Sequence, residues 1–138
     1  MLGTAQLGSD YGIANWTGRP DAREAANILN RAWQAGIRVL DTARAYGDSE
    51  SIIGHFLERH PECPFDVVSK LEPAVDPTDR RAVEAAVKES GDRMGRPPMA
   101  MLLHDAPRLS VLATGGRDAF RRCINDGLTA AFGVSVYT

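Results

Sequence analysis

Residues 38–54, RVLDTARAYGDSESIIG, combine the end of a strand, a polar loop and the start of a helix. The apolar run before the loop contains β-branched residues and ends at Asp41, as a buried strand of a parallel sheet would. A loop carrying Tyr46 follows, and an apolar pattern with helical spacing begins near Ser49. This stretch predicts a carboxylate and a phenol at the carboxyl end of a buried strand.

The same alternation of strand and helix extends along the whole chain. Helical patterns separate five short apolar runs, which predict strands near residues 2–6, 37–41, 65–69, 99–104 and 130–135. Strands separated by helices must run parallel, because each crossover returns the chain to the same end of the sheet. Apolar runs without alternation are typical of a sheet covered on both faces or closed into a barrel. The sequence predicts a single α/β domain over residues 1–138.

Capping signals set the limits of the four predicted helices. Asp21 begins the first helix, and Glu24 follows three residues later as in a capping box. Ser49 and Asp76 are predicted to begin the second and third helices. Gly127 is predicted to end the fourth helix, because a glycine often follows the last helical residue in the left-handed conformation.

The apolar residues of each predicted helix recur at spacings of three and four positions, which places them on one face. On this pattern we expect Ile28 in the first helix and Ile124 in the fourth helix to face the core. Each helix would then cover the sheet with one apolar stripe and expose its polar side to solvent.

Composition and charge narrow the classes of partner. The chain has 138 residues and a formal net charge of −2, which gives no reason to expect a nucleic acid partner. No apolar run approaches the roughly 20 residues that span a membrane, and the first residues do not resemble a secretory signal. Cys63 and Cys123 have no metal-binding spacing, and two thiols fit a reducing cytoplasm. We expect a cytoplasmic protein without a bound metal.

Two further predicted strands end at residues that can exchange protons. The run before Lys70 and the run before His104 stop at those residues, as the earlier run stops at Asp41. The carboxyl ends of parallel strands form the active face of β/α folds. Asp41, Tyr46, Lys70 and His104 are therefore expected to converge. Taken singly, each would be an ordinary turn, packing or solvated residue, and the hypothesis depends on their common position.

The four residue types fit the reduction of a carbonyl group. Such a reaction needs a proton donor to the developing alkoxide, and a free tyrosine, with a pKa near about 10, is a weak acid at neutral pH. A Lys70 ammonium beside Tyr46 would favour the phenolate, and Asp41 could pair with the ammonium in a partly desolvated cleft. His104 could orient the carbonyl or join the proton path. The hydride must come from a cofactor.

The strand-end motifs resemble those of the aldo-keto reductase family. They are GTA at residues 3–5, DTARAYGDSE at 41–50, VVSK at 67–70, LLHD at 102–105 and FGVS at 132–135. The resemblance implies a parallel (β/α)8 TIM barrel, of which this chain covers about five strands and four helices. It also implies the reversible reduction of aldehydes or ketones to alcohols. The substrate would be a small-molecule carbonyl compound, and the cofactor would be NADP(H) or NAD(H).

The resemblance assigns a role to individual residues. Tyr46 would be the general acid, Lys70 and Asp41 would tune it, and His104 would orient the substrate. The residues expected to contact the cofactor are Gly3, Thr4, Ala5, Asp41 and Ser135. Val136 follows Ser135 where the family often has asparagine.

Two alternatives to an active reductase stay open. The family's later loops, which hold the cofactor phosphates, lie beyond the fifth strand, so we expect residues 1–138 alone to be inactive and to self-associate through open sheet edges. One alternative is a catalytically inactive truncated homologue that acts as an oligomerising or interaction module. The other is a small open α/β domain that binds a phosphorylated ligand. The sequence contains no glycine-rich phosphate-binding motif, which disfavours the second alternative.

Overall fold

A five-stranded parallel sheet forms the centre of the protein. The computed structural model describes residues 1–10, 18–104, 110 and 116–136. The strands are β1 (Leu2–Gly3), β2 (Val39–Asp41), β3 (Asp66–Lys70), β4 (Ala100–Leu103) and β5 (Ala131–Val134). Their order in the sheet is the same as their order in the chain, and every neighbouring pair is parallel. The predicted α/β class and the parallel arrangement of all five strands are confirmed.

The helices form a layer on one side of this sheet. They are α1 (Ala5–Gly8), α2 (Ala22–Gln34), α3 (Ser49–Arg59), α4 (Arg80–Met94) and α5 (Arg117–Asn125). Contacts join α2 to α3, α3 to α4 and α4 to α5. Crossovers between parallel strands are right-handed, and here each one moves to the next strand in the same direction. The helices therefore share one face of the sheet, as they do around a barrel.

Two groups of buried apolar residues fill the space between the sheet and the helices. One group lies beneath α2 and α3 and includes Leu29, Leu40, Ile53 and Phe65. The other lies beneath α4 and α5 and includes Val83, Val87, Met101 and Phe120. Each fully buried side chain of this size contributes roughly 1.5–3 kcal/mol relative to an exposed one. The core thus fixes the strands whose carboxyl ends carry the polar residues.

The capping predictions were correct at some helix ends and wrong at others. At α2, Asp21 Oδ1 accepts from the Glu24 amide at 2.8 Å and Glu24 Oε2 accepts from the Asp21 amide at 3.2 Å, which confirms the capping box. Gly127 follows α5 with a φ of 71°, also as predicted. The start of α4 at Asp76 was wrong. Its carboxylate accepts from Thr78 in a local turn, and Asp79 caps the helix instead.

Ser49 begins α3, but it does not cap the helix. Asp48 occupies the N-cap position without a side-chain bond to the helix. The Ser49 side chain is completely buried and points toward the end of β1. A serine before an apolar helical pattern is usually a cap. Here the hydroxyl instead donates to the Thr4 carbonyl, which lies just beyond β1.

The first strand is shorter than the sequence predicts. β1 ends at Gly3, and Thr4 has a φ of −119° and a ψ of 12°, outside the strand region. The Leu7 amide donates to the Thr4 carbonyl at 2.9 Å, and Leu7 enters the core. Burial of Leu7 requires the chain to turn, so residues 5–8 form the short α1 in place of a strand.

Ile28 and Ile124 are each 41% exposed, so their predicted inward orientation is wrong. Ile28 lines an open groove beside β1, together with Leu2 and Leu7. β1 is an edge strand, and among the described residues no further element covers this side of α2. Ile124 lies in the last turn of α5 and lines a groove at the amino end of the sheet. Both isoleucines lie at the margins of the helix layer, which a helical period cannot reveal.

Candidate active site

The carboxyl ends of β2 and β3 bring a carboxylate and an ammonium into contact. In the register of the sheet Asp41 lies beside Val68, so Lys70 extends two residues beyond it. The Lys70 ammonium forms an ion pair with Asp41 Oδ1 and donates to the Thr42 carbonyl at 2.9 Å. Lys70 is only 3% exposed. Burying an ammonium without a partner costs free energy, and here the Asp41 carboxylate and the Thr42 carbonyl are its partners.

Tyr46 completes this contact from the loop between β2 and α3. The Lys70 nitrogen lies 5.3 Å from the centroid of the Tyr46 ring, within the range of a cation–π interaction. The Tyr46 amide donates to the Ala43 carbonyl at 3.0 Å, and its carbonyl accepts from the Ser49 amide at 3.1 Å. These backbone bonds hold the half-buried Tyr46 above the end of the strand. The structure therefore brings together three of the four predicted acid/base residues.

His104 and Ser135 lie at the ends of the next two strands. Leu103 of β4 is paired with Val134 of β5, so His104 and Ser135 follow at the same level. The Ser135 amide donates to the Leu103 carbonyl at 2.9 Å. His104 and Ser135 are both half-buried. His104 Nδ1 is shielded from solvent and has no hydrogen-bond partner within the described part of the chain. Both residues lie at the predicted edge of the sheet, where Lys70 contacts Asp41 and Tyr46.

The predicted cofactor residues at the end of β1 differ in accessibility. Gly3 is exposed and paired with Asp41, and an added Cβ there would meet no atom within 4 Å. Thr4 is 1% exposed, and its amide and hydroxyl both donate to the Asp41 carbonyl at 2.9 Å. Ala5 is half-buried and begins α1. Gly3 thus leaves room for a ligand, whereas Thr4 supports the strand end that carries Asp41.

A cluster of buried hydroxyls lies beneath the Tyr46 loop. The Ser49 hydroxyl donates to the Thr4 carbonyl at 3.0 Å and accepts from the Thr42 hydroxyl at 3.0 Å. It also lies 3.0 Å from the Thr4 hydroxyl. The cluster joins the ends of β1 and β2 to the first turn of α3. Sequence reasoning missed it because a serine at this position is usually a helix cap.

A close backbone contact fixes the other side of the same loop. A Cβ atom on Gly8 would overlap the Tyr46 carbonyl oxygen, and one on Gly47 would overlap the Gly8 carbonyl oxygen. Gly47 also has a φ of 55°, which residues other than glycine rarely adopt. The end of α1 therefore packs directly against the backbone that carries Tyr46. The sequence signals only that both glycines lie near turns.

A set of ion pairs forms the outer wall of the site. Arg44 Nη2 donates to Glu89 Oε2 at 2.9 Å, and Arg44 lies 3.8 Å from carboxylate oxygens of both Glu72 and Glu50. The Glu50 side chain is 1% exposed and accepts from the Ser69 hydroxyl at 2.6 Å. The hydrogen bond from Arg44 holds the pKa of Glu89 below its usual value. Sequence reasoning missed these residues because loop and helix charges are usually solvated.

The two cysteines lie in the core, away from these groups. Burial raises the pKa of both thiols, that of Cys123 to about 11. Both side chains are therefore protonated at neutral pH and poor nucleophiles. In the described ranges, no group of three or more histidine, cysteine or acidic side chains could hold a metal ion. Within the same ranges, no helix has the length and apolar character needed to cross a membrane.

Comparison with known proteins connects this chain to a family. The model of the aldo/keto reductase family matches residues 1–138. A D-threo-aldose 1-dehydrogenase from a Pseudomonas species is 28% identical over 142 residues, which cover 80% of this chain and 43% of that enzyme. The chain thus spans about half the length of the relatives that it matches.

Solved structures give the same result. The protein PA4992 of Pseudomonas aeruginosa, described as an aldo-keto reductase, superposes with a TM-score of 0.82 at 31% identity, over 97% of this chain and 54% of that one. The aldo-keto reductase AKR11C1 of Bacillus halodurans superposes with a TM-score of 0.75 at 22% identity, over 97% and 44%. The open five-stranded sheet corresponds to part of their barrels, which confirms the predicted incomplete barrel. The chain belongs to the aldo/keto reductase family.

Proposed function

We propose that this chain provides the proton-donating part of an active site that reduces aldehydes or ketones to alcohols with NADP(H) or NAD(H). One observation carries the proposal. The buried Lys70 ammonium contacts the Asp41 carboxylate and the Tyr46 ring at the carboxyl end of a parallel sheet. A phenol beside an ammonium loses its proton more readily than a free one. A proton donor of this kind is what a developing alkoxide needs.

Each residue of the site has a distinct part in this proposal. Tyr46 gives its hydroxyl proton to the carbonyl oxygen of the substrate and takes it back in the reverse reaction. Lys70 stabilises the phenolate that Tyr46 becomes, and Asp41 compensates the charge of Lys70 within the cleft. His104 orients the carbonyl oxygen, because it follows β4 at the same edge of the sheet as Lys70. A general acid typically contributes about 10²–10⁴-fold to the rate.

The residues at the sheet edge fit the reacting end of a nicotinamide cofactor. The cofactor supplies the hydride when it is bound. Gly3 leaves open space beside Asp41, and the half-buried Ser135 presents a hydroxyl two strands beyond Lys70. The phosphates would need helix amino termini, backbone amides or basic side chains from other parts of a barrel. Because the groups that bind the phosphates would come from other parts of a barrel, we expect residues 1–138 alone to be inactive.

The relatives support both the reaction class and the direction in which it can run. The name of the Pseudomonas enzyme says that it oxidises an aldose. Oxidation of a hydroxyl and reduction of a carbonyl are the two directions of one hydride transfer, so the same proton-exchanging residues serve both. We therefore include sugars among the small-molecule substrates of the proposed reaction. Both cysteines are free, which supports a cytoplasmic location as part of the same proposal.

The open edges of the sheet favour a second candidate function, that of an interaction module. β1 and β5 are each paired on one side only within the described part of the chain. Unpaired strand edges invite pairing with another chain. Ile28 beside β1 and Val136 after β5 add exposed apolar surface at these edges. Association through them would complete or extend the sheet, with or without catalysis.

Turnover measurements on the chain alone, and on the chain fused to the remaining barrel strands of PA4992, test the reductase proposal. We expect NADPH-dependent aldehyde reduction by the fusion and none by residues 1–138. Tyr46→Phe in the fusion should lower kcat by about 10²–10⁴-fold and leave NADPH affinity nearly unchanged. Normal reduction of every carbonyl tested by the Tyr46→Phe fusion would exclude Tyr46 as the acid. Micromolar NADPH binding and turnover by a monomer of residues 1–138 would show that five strands suffice.

A further inference from the structure

We propose that Arg44 is a positioning residue, which holds the Tyr46 loop against the strand that carries Lys70. The inference rests on the proposed function, because it gives Arg44 a purpose only if the contact between Tyr46 and Lys70 matters. Arg44 lies in the same loop as Tyr46, two residues before it. Its side chain is 9% exposed, although it is charged and belongs to a loop.

Arg44 connects its loop to two other elements. Its backbone amide donates to the Lys70 carbonyl at 3.3 Å, at the end of β3. Its guanidinium donates to Glu89 of α4 at 2.9 Å and lies 3.8 Å from Glu72, in the segment after β3. The Arg44 backbone thus ties the Tyr46 loop to the Lys70 strand, and the Arg44 side chain ties the loop to the segment after that strand and to α4.

The buried Glu50 carboxylate closes this connection on the inner side. Glu50 lies in the first turn of α3, and its Oε2 is 3.8 Å from Arg44 Nη1. Its other oxygen accepts from the Ser69 hydroxyl at 2.6 Å. Ser69 immediately precedes Lys70 on β3. A path of polar contacts therefore begins two residues from Tyr46 and ends one residue from Lys70.

The geometry of this path favours positioning over stability. Burying an ion pair costs several kcal/mol per charge, and well-packed apolar residues often replace such pairs without loss of stability. Arg44 Nη1 and Glu50 Oε2 have no hydrogen-bond partner within the described ranges, so the inner pair is far from optimal for stability. A buried pair of this kind favours the one arrangement of the loop and α3 in which Arg44 and Glu50 lie together. The planar guanidinium can reach carboxylates on several sides at once, which an ammonium cannot do in the same way.

The other side of the Tyr46 loop is already fixed by different contacts. The buried hydroxyl of Ser49 holds the end of the loop to Thr4 and Thr42. The backbone of Gly47 packs against Gly8. On the side of β3, the Lys70 ammonium donates to the Thr42 carbonyl at the start of the loop, and the Arg44 backbone amide donates to the Lys70 carbonyl. The Arg44 side chain adds a further link to β3, through Glu50 to the Ser69 hydroxyl.

Titration of the Tyr46 ring tests the proposal in the chain itself. Tyr11→Phe and Tyr137→Phe leave Tyr46 as the one tyrosine, and its labelled Cζ atom is followed by NMR as the pH rises. Arg44→Lys keeps the charge but removes the planar fork. We expect the Tyr46 signal of this variant to titrate at higher pH than that of the parent, because the ring has moved away from Lys70. Arg44→Met should show the same direction, with the lost charge adding to the shift.

A surface variant serves as the matched control. Arg93 also donates to Glu89, at 3.0 Å, but it lies on α4 and takes no part in the path between the two site residues. Arg93→Met should leave the Tyr46 titration unchanged. If Arg44→Met does not fold, Glu89→Ala removes the outer attachment while Arg44 and Glu50 keep each other as partners, and it should shift the signal in the same direction as Arg44→Lys.

The outcomes distinguish a positioning role of Arg44 from an effect of its charge alone, and they test this role separately from the proposed reductase reaction. A titration of Arg44→Lys identical to that of the parent would overturn the positioning role, even if Arg44→Met shifted. In the fusion with the completed barrel, Arg44→Lys should lower kcat by roughly 10–100-fold while the KM for NADPH stays constant, since small misplacements of reacting groups cost this much. A shifted titration with no reductase activity in any fusion would support the role of Arg44 and reject the proposed reaction.

Discussion

At the ends of β2 and β3, Lys70 contacts both Asp41 and Tyr46, and buried hydroxyls, ion pairs and a close backbone contact support this part of the site. At the ends of β4 and β5, His104 and Ser135 are half-buried at the same level of the sheet. The first pair of strands is covered by neighbours on both sides, whereas β5 is an edge strand. The comparison indicates that contacts within this chain hold the proposed proton-donating residues in place, whereas Ser135 is held beside β4 by a backbone hydrogen bond.

The backbone contact beneath Tyr46 should give the largest change in stability. Gly8→Ala places a methyl group on the Tyr46 carbonyl oxygen, where rigid backbone cannot move aside. We expect the free energy of unfolding to fall by about 3 kcal/mol or more, at the upper end of the range for overpacked sites, because the overlap is with backbone atoms. Urea unfolding followed by circular dichroism measures the difference.

Gly91→Ala provides the matched control for this substitution. Gly91 lies within α4, and an added Cβ there would meet its nearest neighbours at 3.7 Å, an ordinary contact. Replacing a helical glycine by alanine should raise the free energy of unfolding by roughly 0.5–1 kcal/mol. Equal effects of the two substitutions would show that Gly8 makes no special contact with the Tyr46 loop.

A smaller effect should distinguish the two serines of the site. Ser49→Ala removes a buried hydroxyl that donates to Thr4 and accepts from Thr42, so it leaves polar partners unsatisfied. We expect a loss of about 1–3 kcal/mol from the free energy of unfolding. Ser135→Ala, on the edge strand side, should change it by less than about 0.5 kcal/mol. Comparable losses at both positions would mean that the two sides of the site are equally well supported.

The sequence was sufficient to predict the order, direction and approximate position of all five strands. Helical patterns alternate with strand patterns along the chain, and strands separated by helices pair in parallel. It was insufficient at the ends of elements. Asp76 and Asp79 are chemically equal as caps, and only the local turn with Thr78 decides between them. β1 ends before Thr4 because the chain turns there into α1, which places Leu7 in the core.

The supports of the site were harder to predict than the site residues. Asp41, Tyr46, Lys70 and His104 are visible because each follows a predicted strand. The burial of Glu50 depends on its contacts with Arg44 in the preceding loop and with Ser69 on another strand. No local pattern reveals that a loop arginine meets acidic side chains from three separate segments. Such contacts arise only after the helices have packed on the sheet.

The most direct test of the account compares the Tyr46 titration of the parent chain with that of Lys70→Met. The central claim is that the buried Lys70 ammonium stabilises the Tyr46 phenolate, so that Tyr46 can act as the proton donor. With Tyr11 and Tyr137 replaced by phenylalanine, we expect the Tyr46 ring signal of the Lys70→Met variant to titrate at distinctly higher pH. Coincident titration curves from two folded proteins would contradict the claim.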